Sequence, residues 1–156
     1  MNLRHKQSGV MLLEALIALL IFAMGVLAVI GMQARSIGQT MEARYRVDAA
    51  FLGNQILSLI WADRANVTSY ACNPCRKASN GNSVTQAWVT QIQSTTSQSA
   101  YLPGVTDAAN APVIAVVPVY DAQNVLTGYQ VTVTLNWKSP QAGTAHSYTT
   151  MAQISG

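Results

Sequence analysis

Gly9-Val10-Met11-Leu12-Leu13-Glu14 is the stretch on which the fold turns, together with the apolar run behind it. Ahead of it stands a short basic head, residues 1–9, which carries Arg4 and Lys6 and no acid. Behind the Gly9/Val10 junction, residues 10–34 hold a single charge, Glu14. Residues 15–32 are eighteen consecutive positions without a charged or strongly polar side chain. As a helix at ~1.5 Å per residue they span roughly 27 Å, close to the ~30 Å hydrocarbon core of a bilayer. The stretch predicts a transmembrane helix. A secretory signal peptide is a poorer reading, because its apolar region is shorter and is followed by a small-x-small cleavage site. Here the small-residue boundary, Ser8-Gly9, precedes the run. A plain signal anchor fits length and charge but gives no reason for Glu14. A carboxylate costs about 2.5–3.5 kcal/mol at the membrane centre, less near the interface, and so points to function.

The helix is expected to continue past the membrane. Residues 35–63 contain no Pro, and Ile37, Met41, Tyr45, Leu52, Ile56 and Leu59 recur at helical spacing, with Arg44, Arg46 and Asp48 between them. One helix over residues 10–61 would be ~78 Å long. Its first half is apolar all round; its second half, residues 35–64, is amphipathic and suited to packing on a sheet. Residues 65–110 are rich in Ser, Thr, Asn, Gln and Ala, with turn signals at Asn73-Pro74, Asn80-Gly81-Asn82 and Pro103-Gly104. Residues 87–92 read equally as a short helix or a strand.

The last third, residues 111–156, is β. Residues 112–120 form one strand and residues 121–124 a turn. In residues 129–137, Tyr129, Val131, Val133, Leu135 and Trp137 alternate with Gln130, Thr132, Thr134 and Asn136, the period of a half-buried antiparallel strand. Residues 140–143 turn the chain into a third strand, residues 146–154. Pro118 puts the first strand at an edge or at a bulge. The fold class is therefore α+β: a long N-terminal helix, half membrane and half amphipathic, packed on a small C-terminal antiparallel sheet.

Composition leaves little room for catalysis. Half the residues are hydrophobic and 10% are charged, and only six acids occur in the 156 residues. No Ser-His-Asp set, phosphate loop or carboxylate pair is evident, and no cofactor is implied. The net charge of +3 includes Arg4 and Lys6; without the head, seven basic and six acidic side chains remain. That is no nucleic-acid footprint, which needs a clustered basic face. Basic residues ahead of the span place the N-terminus in the cytoplasm and the rest across the membrane. His146 reads as a surface strand residue, and Trp61, Trp88 and Trp137 as core or rim packing.

Cys72-Asn73-Pro74-Cys75 is the one reactive-looking motif. In an exported chain the two thiols favour a local disulfide, whose short loop contributes less than the ~3 kcal/mol of a 15-residue loop. A redox centre would want a helix N-terminus beside the first thiol, whereas the residues after Cys75 look like a loop. Zinc would need further ligands, and none is at hand. These alternatives make a membrane-tethered redox or binding module a reading from another functional class.

A basic leader ending in Gly, a cut before an apolar residue and Glu five residues into the mature chain together resemble the class III signature of type IV prepilins. Gly9, Val10 and Glu14 match it position by position; Val10 replaces the commoner Phe. The resemblance covers about the first 35 residues. It implies a leader of residues 1–9 cut after Gly9 by prepilin peptidase, N-methylation at Val10, and a Glu14 that meets a neighbouring subunit's N-terminal ammonium and sets register. It implies the pilin fold, with residues 65–110 as the variable αβ-loop region, in a Gram-negative inner membrane with the C-terminal domain periplasmic. Within the family the chain is most similar to the minor pilins of the pilus-modification group, through residues 12–25, 62–66 and 129–137 and the lack of a large C-terminal disulfide loop. Partners then include other minor and major pilins, the inner-membrane assembly platform, a tip adhesin and membrane lipid, with roles in pilus assembly, motility and cell adhesion. A type II secretion pseudopilin is the runner-up, and a DNA-uptake pseudopilin fits the fold but lacks a basic stripe. Gly31 stands where many major pilins carry a helix-breaking Pro, so local melting on assembly is expected there, more weakly.

Overall fold

The computed structural model describes residues 8–76, 80–94, 100–140 and 143–155. The basic head with Arg4 and Lys6, Lys77 and part of the turn at residues 140–143 lie outside the described residues. The chain divides between Met41 and Glu42 into two compact units. Helix α1, Ser8–Ala62, is common to both. It is unbroken at Gly25, Gly31, Gly38 and Gly53, and its backbone is already helical at Ser8, so the Gly9/Val10 junction falls in its first turn.

In the N-terminal unit the side chains of α1 from Val10 onward are almost all exposed, the large apolar ones included. One helix is thus long and apolar enough to cross a membrane, and none of its most apolar window is covered by protein. An all-apolar helix surface of this kind is stable only in lipid or against other apolar helices.

In the C-terminal unit α1 packs on a three-stranded antiparallel sheet ordered β1-β2-β3. The strands are β1, Val113–Tyr120, β2, Leu126–Trp137, and β3, His146–Ser155. Val131, Val133, Leu135 and Trp137 of β2 are buried, as the alternation predicts, with Tyr129 half-buried. Against them lie Ala49, Leu52, Ile56, Leu57 and Ile60 of α1. The sequence stripe is corrected at its ends: Leu59 is 40% exposed, and Ile37 and Met41 are exposed. At 100° per residue the row against the sheet runs from half-buried Tyr45 through buried Ala49, Leu52, Ile56 and Ile60, and Leu59 falls to its shoulder.

The ambiguous segment at residues 87–92 is helical. Helix α2, Ser83–Gln93, starts at Asn82, whose side chain accepts the Thr85 N–H at 3.0 Å. It buries Trp88, Val89 and Ile92, and the Trp88 indole donates to the Leu52 carbonyl of α1 at 3.1 Å. A 3-10 helix, Arg64–Tyr70, follows α1, and a short one, Ala108–Asn110, precedes β1.

Pro118 lies on the edge strand β1, and the β1/β2 register slips between Val119 and Tyr120, so both expectations for it hold. In the turn that follows, Asp121 Oδ1 accepts the N–H groups of Gln123 and Val125, and Asn124 takes φ +62°. Gly128 sits where β2 runs close to β3: a Cβ there would collide with the Ile154 carbonyl oxygen. Gly128→Ala is therefore expected to cost about 2–3 kcal/mol, read by urea unfolding of the detergent-solubilised chain. Unchanged stability would mean that β2 and β3 separate freely there.

Candidate functional site

The N-terminal site is built by helix periodicity alone. Val10 and Glu14 are four residues apart, hence on one face, and Leu13, Ile17, Ala18 and Ile21 border the same exposed apolar surface. Glu14 has no hydrogen-bond or ion partner among the described residues. A carboxylate left alone on a greasy helix is expensive in hydrocarbon, and pairing with a cation relieves the cost. The surface can therefore accept a cationic group.

The second constellation, around Glu42, was not singled out in the sequence. The Trp137 indole donates to Glu42 Oε1 at 3.0 Å, and His146 Nδ1 lies 3.6 Å from the same oxygen. The His146 ring stacks on Trp137, with centroids 5.8 Å apart and planes at 24°. His146 is thus half-buried at the start of β3 rather than a free surface residue. Trp137 is nearly fully buried, so its N–H needs an acceptor, and Glu42 supplies one from α1 across 95 positions of sequence. The signal for Glu42 was legible: it stands three residues before Tyr45, in line with the buried row.

Cys72 and Cys75 form a disulfide, with Cα atoms 4.8 Å apart. Both residues are buried in the core. Cys72 pairs with Ile114 through two backbone bonds, 3.0 and 2.9 Å, and the Cys75 N–H donates to the Pro112 carbonyl at 2.7 Å. The bridge fastens its loop to β1. Neither sulfur sits at a helix N-terminus, since α2 begins only at Ser83. A thiol-exchange centre needs an accessible, activated sulfur, and this geometry offers none. Among the described residues no group of His, Cys, Asp or Glu is arranged to hold a metal.

Where α1 ends, Asp63 accepts from the Tyr70 hydroxyl at 3.0 Å and from the Asn66 amide at 2.7 Å. Burial of the phenol raises the Tyr70 pKa, the hydrogen bond to Asp63 raises it further, and Asn82 opposes weakly. A raised folded value means that this stabilisation is complete below the ordinary phenol pKa of 10.0 and is lost as pH climbs through the folded one. Tyr70→Phe is expected to shrink the fall in stability as pH is raised above 10.0. Identical alkaline slopes for both chains would remove Tyr70 as its source.

The fold and the site together define a class: an α+β protein whose long N-terminal helix offers an apolar span that, among the described residues, is uncovered and carries one unpaired carboxylate. No family model, no curated protein and no solved structure matches the chain.

Proposed function

We propose that this chain is a minor pilin of a type IV pilus. Its leader ends at Gly9, prepilin peptidase cuts there and N-methylates Val10, and the mature subunit joins a fibre or its tip. The observation that carries the reading is the isolated Glu14 carboxylate, one turn past the Gly9/Val10 junction on a fully exposed apolar helix. In the membrane that helix anchors the subunit. In a fibre it bundles with other subunits' helices, and Glu14 meets a neighbour's terminal ammonium. Apolar helices slide past one another with little preference, whereas one buried ion pair fixes axial register.

The orientation that follows from Arg4 and Lys6 is cytoplasmic N-terminus and periplasmic C-terminal unit, in an inner membrane. The C-terminal unit, with α1 seated on the sheet, acts as structural surface that chooses neighbours: other minor and major pilins, the assembly platform and a tip adhesin. The buried disulfide supports a structural role for Cys72 and Cys75 and speaks against a redox module.

The test is intact-mass and N-terminal analysis of the protein from membranes of peptidase-positive and peptidase-null cells. The expected result is a chain beginning at N-methylated Val10 in the first and at Met1 in the second. An intact Met1 terminus in both would return the chain to the class of ordinary membrane-anchored proteins.

A further inference from the structure

The two outer edges of the sheet are treated differently. On β1, the Cys72–Cys75 loop covers the first part by pairing with Ile114 and Pro112. Farther along, Pro118 has no N–H, and the register slips after Val119. Loop cover, proline and bulge are each devices that keep a strand edge from pairing with another chain.

Among the described residues the β3 edge has none of these. Its ten residues, His-Ser-Tyr-Thr-Thr-Met-Ala-Gln-Ile-Ser, contain no Pro, no Gly, no acid and no Lys or Arg. Register with β2 is unbroken from Gly128↔Ser155 to Trp137↔His146. In an antiparallel edge strand every second residue turns its N–H and C=O away from the neighbour. Among the described residues no backbone group meets those of β3 on the outer side. The inward side chains Tyr148, Thr150 and Ala152 are only half-buried, and of that face Ile154 alone is buried. Gly53 brings α1 close beneath: a Cβ there would lie 3.0 Å from Thr150 and 3.5 Å from Tyr148. Leu57 and Trp61 follow Gly53 in the i+4 row of α1, and Trp61 is 44% exposed. Beside β3, α1 is thus covered at Gly53 and Leu57, while the inward residues of β3 itself keep a half-exposed flank.

We propose that the outer edge of β3 accepts an extended strand from a partner polypeptide, uncharged and with apolar residues at alternating positions, as a fourth strand of the sheet. Backbone groups would supply the affinity, and the inward residues of the added strand would cover Tyr148, Thr150, Ala152 and the flank of α1. A second copy of this chain is the less favoured occupant. Its own β3 carries His146 and Thr150 in the inward row, so it covers the open face less well than a strand with apolar residues at every second position. The inference does not depend on how the N-terminus is processed.

The test uses the full chain in detergent micelles and a synthetic peptide copying residues 128–137, the sequence that already pairs with the other side of β3. Because main-chain bonds drive such pairing, this peptide is an adequate probe. Amide hydrogen exchange is followed along β3. Without peptide, alternate β3 amides are expected to exchange fast; with saturating peptide they slow by about tenfold or more. A peptide with Pro at alternate positions should give no protection. Ala152→Lys places an inward charge that reaches water past the open edge but would be buried by an added strand, and should weaken peptide binding about tenfold. If that variant does not fold, the proline peptide carries the comparison. No protection by the parent peptide, or protection by both peptides alike, overturns the proposal. Protection without peptide that rises with protein concentration also overturns it, in favour of a second copy.

Discussion

Glu14→Leu is expected, on the proposed pilin reading, to leave the chain anchored in the membrane and to lower its incorporation into fibres by about 10- to 100-fold. A charge-assisted bond out of water is worth about 1.5–3 kcal/mol, and each ~1.4 kcal/mol is tenfold in an equilibrium. The substitution makes the helix greasier, so insertion is not weakened and lost incorporation cannot be blamed on lost anchoring. Glu14→Asp separates charge from reach. It keeps the carboxylate but draws it back by one methylene, so an intermediate loss is expected. The measurement is the ratio of subunit in sheared fibres to subunit left in membranes. Equal ratios for wild type and Glu14→Leu would sink the register role and leave Glu14 as an interfacial carboxylate on an ordinary anchor.

Trp137→Ala should remove about 3–5 kcal/mol of stability from the C-terminal unit, the range for truncating a buried aromatic side chain. Trp137 is 1% exposed, stacks on His146 and spends its indole N–H on Glu42. The variant opens a cavity between α1 and the end of β2 and deprives the Glu42 carboxylate of its donor. Trp137→Phe keeps most of the packing and loses the hydrogen bond, so about 1–2 kcal/mol is expected. Glu42→Gln keeps an acceptor for the indole and loses the negative charge facing His146, so less than about 1 kcal/mol is expected for a partly exposed pair. Urea unfolding of the three variants in detergent orders them. Trp137→Ala at under about 1 kcal/mol would mean that the cluster does not hold α1 to the sheet.

On the proposed pilin reading, the expectation that Gly31 weakens the helix bears on assembly. In the structure α1 is unbroken there, and the Cβ of an Ala at Gly31 would meet nothing within 4 Å. A glycine inside an exposed helix costs about 1 kcal/mol against Ala, too little by itself to open the helix.

Short-range pattern along the chain was enough for part of the fold. Helix α1 needed only an unbroken run without Pro and a shift from all-apolar to amphipathic. The buried face of β2 needed only strict alternation, and Pro118 marked β1 as an edge because proline cannot donate to a ladder. That Val10 and Glu14 share one face of α1 was legible because four residues make about one turn, whereas the roles proposed for Gly9, Val10 and Glu14 rest on the resemblance. Other features depend on partners distant in sequence and arise only on folding. Residues 87–92 became helical because α2 could bury Trp88, Val89 and Ile92 and give the indole the Leu52 carbonyl, a contact 36 positions away. Glu42 gained its role because α1 passes the β2–β3 corner, where Trp137 and His146 are brought together. The core row on α1 ended at Ile60 rather than Leu59 because the sheet, not the helix, chooses which flank is covered. The contrast between a protected β1 edge and an open β3 edge likewise exists only once the strand order is fixed, since sequence gives the strands but not which of their backbone groups are left unpaired.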